Sequence, residues 1–255
     1  MLAAERRRHI AENIRSRGVV SVAETAEELG TTEITVRRDL RSMERDGLLV
    51  RTHGGAMLGV TAGHEPSYSE KARQAAGEKA AIARLALEMI RPGDSIVLGP
   101  GTTTQALARL LTQTPELTVV TNSLLVASAL MDAPRVEVIV TGGTLRRPIH
   151  ALVGPATEDA VRGLRASQAF ISGNGFTAAR GLSTPSQVVA ATDRAIAAAA
   201  QHVVVLADHT KIGQETMYQT VPAAKIQTLI TDSRASVSEL DAIRAAGVDV
   251  RVAEA

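Results

Sequence analysis

The chain has 255 residues, with 28 lysines and arginines against 27 aspartates and glutamates and a formal net charge of +1. Any attraction to a polyanion must therefore come from a local patch and not from the molecule as a whole. It has no cysteine, which excludes disulfide scaffolds, thiol catalysis and thiolate metal sites together; the charged N-terminus, lacking an apolar run of signal length, and the absence of about 18 consecutive apolar residues anywhere lead to the expectation of a soluble cytoplasmic protein with no membrane partner.

Residues 5–14 read as a first helix with Ile10 and Ile14 facing inward, preceded by the charge of Arg6, Arg7 and Arg8. Residues 21–30 read as a second helix. Ser21 is its expected N-cap, Glu24 three residues on completes a capping box, and Gly30 closes it. After a tight turn a third helix starts beyond Thr31 or Thr32. At about 100° per residue Val36, Leu40 and Met43 share one side, while Ile34, Arg38, Arg41 and Arg45 share the other. Thr35 and Arg37 flank the basic side near its N-terminal end, the end that a recognition helix presents to base edges. Such a stripe can also be a solvated face, because Asp39, Glu44 and Asp46 are near enough to pair with some of its arginines. The context favours DNA: helix, glycine turn and basic helix are followed at residues 48–55 by a short β-prone run, best read as a wing hairpin whose Arg51 and His53 reach phosphate or the minor groove. The expected DNA contacts are Thr35, Arg37, Arg38, Arg41, Arg51 and His53.

Beyond Ala56 the chain mixes glycine, proline and small polar residues, which divides it into a winged helix-turn-helix (1–57), a linker (58–68) and a second domain (69–255). A long helix is expected from Ser69 to Ile90, ended by Pro92-Gly93. Short β-branched runs at 95–98, 117–120, 136–140, 168–171, 203–206 and 228–230, with 248–252 as the last, then alternate with helical patterns at 103–111, 124–131, 158–164, 188–200 and 237–246. This alternation predicts a mostly parallel, Rossmann-like α/β sheet with helices on both faces. Aromatic residues make up only 2 % of the chain, so its core must be aliphatic and alanine-rich.

In an open parallel sheet, ligands bind beyond the carboxyl ends of the strands. There the sequence sets Gly101, Thr102, Thr103 and Thr104; Asn122; Gly142 and Gly143, followed by Arg146 and Arg147; Asn174; and Asp208 with Lys211. Glycines let backbone N–H groups approach an anion, and hydroxyls at a helix start add donors, so the pattern suits phosphate. It is neither a Walker A loop nor a full dinucleotide fingerprint. Taken singly, each loop reads equally well as a cap or turn; their convergence is what argues for a site. Lysine occurs only at positions 71, 79, 211 and 225, which marks Lys211, at the mouth of the sheet, as a phosphate partner or else an ordinary loop lysine. Asp208 could hold Lys211 or accept a sugar hydroxyl. His150 reads as structural, since no other His, Asp or Glu stands at metal-ligand spacing, and neither metal nor cofactor is expected.

Val36-Arg-Arg-Asp-Leu40, Gly47-Leu-Leu and Arg51-Thr-His-Gly-Gly-Ala56 resemble the winged helix-turn-helix of the DeoR family of bacterial transcription regulators. The likeness continues through Glu78-Lys79, the Gly101 to Thr104 loop, Thr121-Asn-Ser123, Gly142-Gly143, Val153-Gly-Pro155 and Leu206 to Gly213. It implies a sensor domain sharing its fold with ribose-5-phosphate isomerase and glucosamine-6-phosphate deaminase, and a small phosphorylated sugar as effector at Gly101 to Thr104, Asn122, Gly142, Gly143 and Lys211. The chain departs from the family where Gly99-Pro100 replaces the usual Asp-Ser, and where Ser186 to Val189 and Asp193 replace acidic residues followed by a lysine, so its effector is expected to be atypical. The function expected is a repressor on double-stranded operator DNA, acting as a homodimer or homotetramer and released by the effector. The alternative is a sugar-phosphate isomerase or deaminase, but those reactions need paired carboxylates, and the loops after the first and fourth strands carry none.

Overall fold

The computed structural model describes residues 3–17, 19–45, 49–51, 54–58, 67–114 and 116–254, and the chain divides into two compact units, 1–64 and 65–255. The first unit runs α1 (Ala3–Arg17), β1 (Val19–Ser21), α2 (Val22–Glu28), α3 (Glu33–Arg45), β2 (Leu49–Arg51) and β3 (Gly55–Leu58). Ile10 and Ile14 of α1 and Val36, Leu40 and Met43 of α3 are buried in one core with Val22, Ala26 and Leu49, as the 3.6-residue spacing requires. The hairpin of β2 and β3 is joined by β1 in the order β1-β3-β2, all antiparallel. Strand β1 was not legible beforehand, because Val-Val-Ser is too short to show alternation. It is also why Gly55 is a glycine: a Cβ there would lie 1.9 Å from the Val20 carbonyl oxygen.

One expected cap is not formed. Ser21 stands at the N-cap position of α2, but its side chain makes no capping bond among the described residues. Its backbone is committed to the β1–β3 ladder opposite Gly55, and the Val22 N–H is taken by the Gly54 carbonyl. Gly30 does close α2, at φ +57°, and the Thr32 hydroxyl accepts the Thr35 N–H at 3.3 Å at the start of α3.

The second unit opens with α4 (Tyr68–Arg73) and α5 (Ala76–Leu87), where one helix from Ser69 to Ile90 was expected. The break is at Gln74 and Ala75, Ala75 lying in the left-handed region at φ +52°, and a capping box between Ser67 and Glu70 starts α4. There follow β4 (Ser95–Leu98), α6 (Thr102–Leu111), β5 (Leu117–Thr121), α7 (Leu124–Leu130), β6 (Val136–Val140), β7 (Thr144–Arg146), β8 (Ala151–Val153), α8 (Pro155–Val161), β9 (Ala166–Ile171), β10 (Gly175–Thr177), β11 (Gly181–Thr184), α9 (Gln187–Ala198), β12 (Ala200–Leu206), β13 (Tyr218–Val221), β14 (Thr228–Asp232), α10 (Val237–Ala245) and β15 (Asp249–Ala253). All seven strands read from the sequence form one parallel sheet in the order β15-β14-β12-β9-β4-β5-β6. Alternate residues serve opposite cores: Ile96 and Leu98 pack with Ile82, Leu107 and Val126 on one face, and Val97 packs with Val161, Ile196 and Leu240 on the other.

From β4 the chain builds outward to β5 and β6, then returns to lay β9, β12, β14 and β15 on the other side. The strand order thus reverses between β4 and β9, and a crevice opens at such a reversal. Two small antiparallel pieces were not expected: the β7–β8 hairpin and the sheet β10-β11-β13. They border the carboxyl ends of the parallel strands.

Candidate DNA interface and effector site

On α3 the outward stripe is open. Ile34 is 80 % exposed, and Arg38 and Arg41 are exposed with no ion pair to another described residue. Two of the three acids that could have neutralised them, Asp39 and Glu44, are engaged elsewhere. Asp39 is buried against α1, where Arg6 Nε lies 2.5 Å from it and Arg7 Nε 4.0 Å; Arg6 is therefore an internal brace and not part of the basic surface expected of Arg6, Arg7 and Arg8. Glu44 turns to the wing, 3.8 Å from Arg51 Nη1, and accepts the Arg51 N–H. Arg37 pairs with Glu33 one turn back at 3.1 Å, a half-exposed contact of a few tenths of a kcal/mol at most, which phosphate can displace. The half-buried Thr35 lies beside Thr32, their hydroxyl oxygens 3.0 Å apart. His53 and Asp46 lie outside the described residues, as does the side chain of Arg45.

At the switch point of the second unit a cleft, partly open to solvent, is bounded by residues from several chain segments. Gly101, Thr102 and Thr103 bring the amino end of α6, where backbone N–H groups lack helical acceptors. Ser172, Gly173 and Asn174 come from the end of β9, Asp208 and Lys211 from the loop after β12, and Tyr68 and Lys71 from α4. The approach is close: a Cβ on Gly101 would stand 3.0 Å from the Ser172 Cβ, and one on Gly173 2.6 Å from the Leu182 side chain.

Lys79, from α5, forms the floor. It is 5 % exposed, donates to the carbonyls of Lys71 and Gln74 at 2.5 and 2.6 Å, and lies 3.6 Å from Asp208 Oδ2. Its ammonium therefore caps the end of α4, at the point where the expected long helix divides. Burial pushes its pKa below the usual lysine value; the Asp208 carboxylate opposes that shift and the nearby Lys211 ammonium adds to it. Asp208, also buried, accepts the N–H and hydroxyl of Thr210. The acid expected to hold Lys211 or a sugar hydroxyl thus holds Lys79. Lys211 is half-buried and has no ion pair to another described residue. Two ammonium groups and a helix amino end face one cavity, an arrangement whose like-charge repulsion an anion would relieve.

Five of the expected effector residues do not line this cleft. Thr104 is buried and donates its hydroxyl to the Gly101 carbonyl at 3.1 Å, and Asn122 ties β5 to β8 by donating to the Leu152 carbonyl at 2.9 Å. Gly142 and Gly143 turn the chain into β7, the first accepting from the Thr157 hydroxyl at 2.6 Å and the second at φ +133°, where a Cβ would meet that hydroxyl at 2.1 Å. Arg146 lies on β7. His150, read as structural, packs against Tyr68 with the rings tilted at 49° and their centroids 5.5 Å apart, and Tyr68 donates to Gln105. Sequence reasoning missed Tyr68, Lys71, Lys79, Ser172, Thr184 and the buried Asp193 in the lining. The rarity of lysine could have found two of them, since three of the four lysines of the chain meet here.

An open basic helix on a winged helix-turn-helix, and a separate α/β unit with an anion-suited cleft at its switch point, are the parts of a ligand-responsive DNA-binding regulator. Residues 6–60 match the DeoR-like helix-turn-helix domain and residues 74–233 the DeoR C-terminal sensor domain; the chain belongs to the DeoR family of transcriptional regulators. It is 38 % identical over 232 residues to the uncharacterized HTH-type transcriptional regulator YgbI of Escherichia coli strain K12, covering 91 % of each chain. It is 31 % identical to the glycerol-3-phosphate regulon repressor of the same strain, over 95 % of this chain and 96 % of that one. Among solved structures, ribose 5-phosphate isomerase A of Methanocaldococcus jannaschii is similar with a TM-score of 0.41 and 15 % identity, over 54 % of this chain and 55 % of that one. Among the described residues no helix is long and apolar enough to cross a membrane, and no cluster of three or more His, Asp or Glu could hold a metal ion.

Proposed function

We propose that this protein represses carbohydrate-metabolism genes by holding operator DNA with α3 and the wing, and that a small phosphorylated sugar metabolite in the β4–β9 cleft weakens that hold. The observation that carries the effector half is the meeting of Lys71, Lys79 and Lys211 with the amino end of α6: a phosphate there finds point charges and backbone donors together. Asn174, on the same wall, supplies a polar partner for a sugar hydroxyl, while the buried Asp208 holds Lys79 in place beneath it. A relative that represses a glycerol-3-phosphate regulon supports the same ligand chemistry. The functional parts are then a DNA reader (1–57), a connector (58–68) and a sensor (69–255), working in the cytoplasm beside the chromosome. Two-fold operators would be met by a homodimer or homotetramer, because doubling half-sites raises affinity and specificity together.

The test is a thermal-shift screen of the full chain against sugar phosphates and their unphosphorylated counterparts, followed by operator titration with each hit. A ligand at 100 times its Kd stabilises the fold by about 2.7 kcal/mol, and linkage requires that a true effector change DNA affinity. Equal responses to phosphorylated and plain sugars would refute the anion site.

A further inference from the structure

Ile34 is the most exposed large apolar side chain among the described residues, at 80 %, and it begins the outward stripe of α3. Arg38 and Arg41 follow it one and two turns on, on the same face, while the buried Val36, Leu40 and Met43 occupy the opposite face. Ile34 belongs to no apolar cluster of the first unit, whose core is complete without it. Folding therefore gives no reason for a branched aliphatic side chain at this position. A β-branched residue is also a poorer helix former than the straight-chain polar residues that usually cover a solvent face.

Its place on the helix supplies a reason. The first turn of a recognition helix is the part that approaches base edges, and the apolar mark that the major groove offers is the C5-methyl group of thymine. We infer that Ile34 reads thymine methyl groups in the operator, with the exposed guanidinium groups of Arg38 and Arg41 supplying the neighbouring phosphate or guanine contacts. The inference rests on the DNA-binding function and adds to it the base that this chain selects.

Replacing thymine by deoxyuridine removes the methyl and leaves the pairing edge intact, so the test can be made atom by atom. Duplexes bound by the full-length chain are selected from a random-sequence library. The preferred duplex is then remade with deoxyuridine at each thymine in turn. Affinities are measured for wild type, Ile34→Ala and Ile34→Ser, with circular dichroism and sedimentation to check fold and assembly. The expected result is a loss of about fourfold for wild type at one or more positions per half-site, the worth of one buried methyl. Ile34→Ala is expected to bind the thymine duplex more weakly and to be indifferent to deoxyuridine at those positions. Wild type binding every deoxyuridine duplex as tightly as the parent, or Ile34→Ala keeping the preference, would overturn the inference. So would variants that change only the sedimentation, which would make Ile34 a contact between protein copies. A failure to select any sequence would instead remove the DNA-reading function itself, a result distinct from selection without methyl dependence.

Discussion

Replacing Lys79 with methionine keeps most of the side-chain volume and removes the ammonium from beneath the cleft. Three groups then lose the ammonium: the carbonyls of Lys71 and Gln74, and the 2 % exposed Asp208, which keeps only its neutral bonds from Thr210. Deleting one member of a buried pair typically costs roughly 3–5 kcal/mol, because the other charge stays desolvated. In a unit of about 190 residues each kcal/mol lowers Tm by roughly 2–4 °C, so a fall of roughly 6–20 °C is expected for that unit. The depressed pKa of Lys79 shows that its charge is less well accommodated in the fold than in water; the cost of the variant therefore lies in what is orphaned and not in an attractive bond lost. Two consequences separate this account from simple loss of an ion pair. Adding Asp208→Leu to the Lys79→Met variant should restore much of the stability, since an apolar pair of similar volume removes both desolvation penalties. Between the folded pKa and the ordinary value of 10.5 the unfolded chain binds more protons than the folded one, so wild-type stability contributed by Lys79 rises with pH across that window, and the methionine variant should lack that rise. Thermal and urea unfolding at several pH values measure all three. A single variant within about 1 kcal/mol of wild type, or a double variant less stable than the single one, would refute the reasoning.

The other expectations are read by binding and unfolding measurements. Arg38→Ala should weaken operator binding and lower the slope of log affinity against log salt by about one if its contact is to phosphate; unchanged affinity and slope would take Arg38 out of the interface. Substituting Thr35 should alter preference at one or two base positions and spare non-specific binding, and a uniform loss on all sequences would contradict this. Gly55→Ala should destabilise the first unit strongly, because its Cβ would fall 1.9 Å from the Val20 oxygen and β1 would have to leave the sheet; a melting temperature near wild type would show that the strand can give way. Lys211→Ala should blunt the effector response while leaving effector-free DNA binding intact, and titrating operator with and without the active sugar phosphate would show a full response if Lys211 is an ordinary loop lysine.

What the sequence made legible follows the range of the interactions involved. The inward faces of α1 and α3 and the seven parallel strands are set by periodicity within ten or so residues, and Ile10, Val36, Leu40 and the alternating Ile96, Val97 and Leu98 stand where that periodicity puts them. The misses are events between distant segments. Ser21 is a good cap by local rules but is held in a strand by Gly55, 34 positions on. The helix expected from 69 to 90 has no breaker at Gln74 or Ala75 themselves; where it divides, the Lys79 ammonium joins two carbonyls of one segment to Asp208, far along the chain. The same asymmetry governs the cleft. Loops after strands announce themselves by glycine and hydroxyl composition, which located Gly101, Thr102, Thr103, Asn174, Asp208 and Lys211 on its wall. That composition does not say which loops share a cleft, so Asn122, Gly142 and Gly143 carried the same signature while bonding around β5, β7 and β8 instead. Lys71, Lys79 and Tyr68 carry no loop signature, being on helices. What two of them share is chemical: lysine is rare in this chain, and Lys71 and Lys79 meet Lys211 at one cleft.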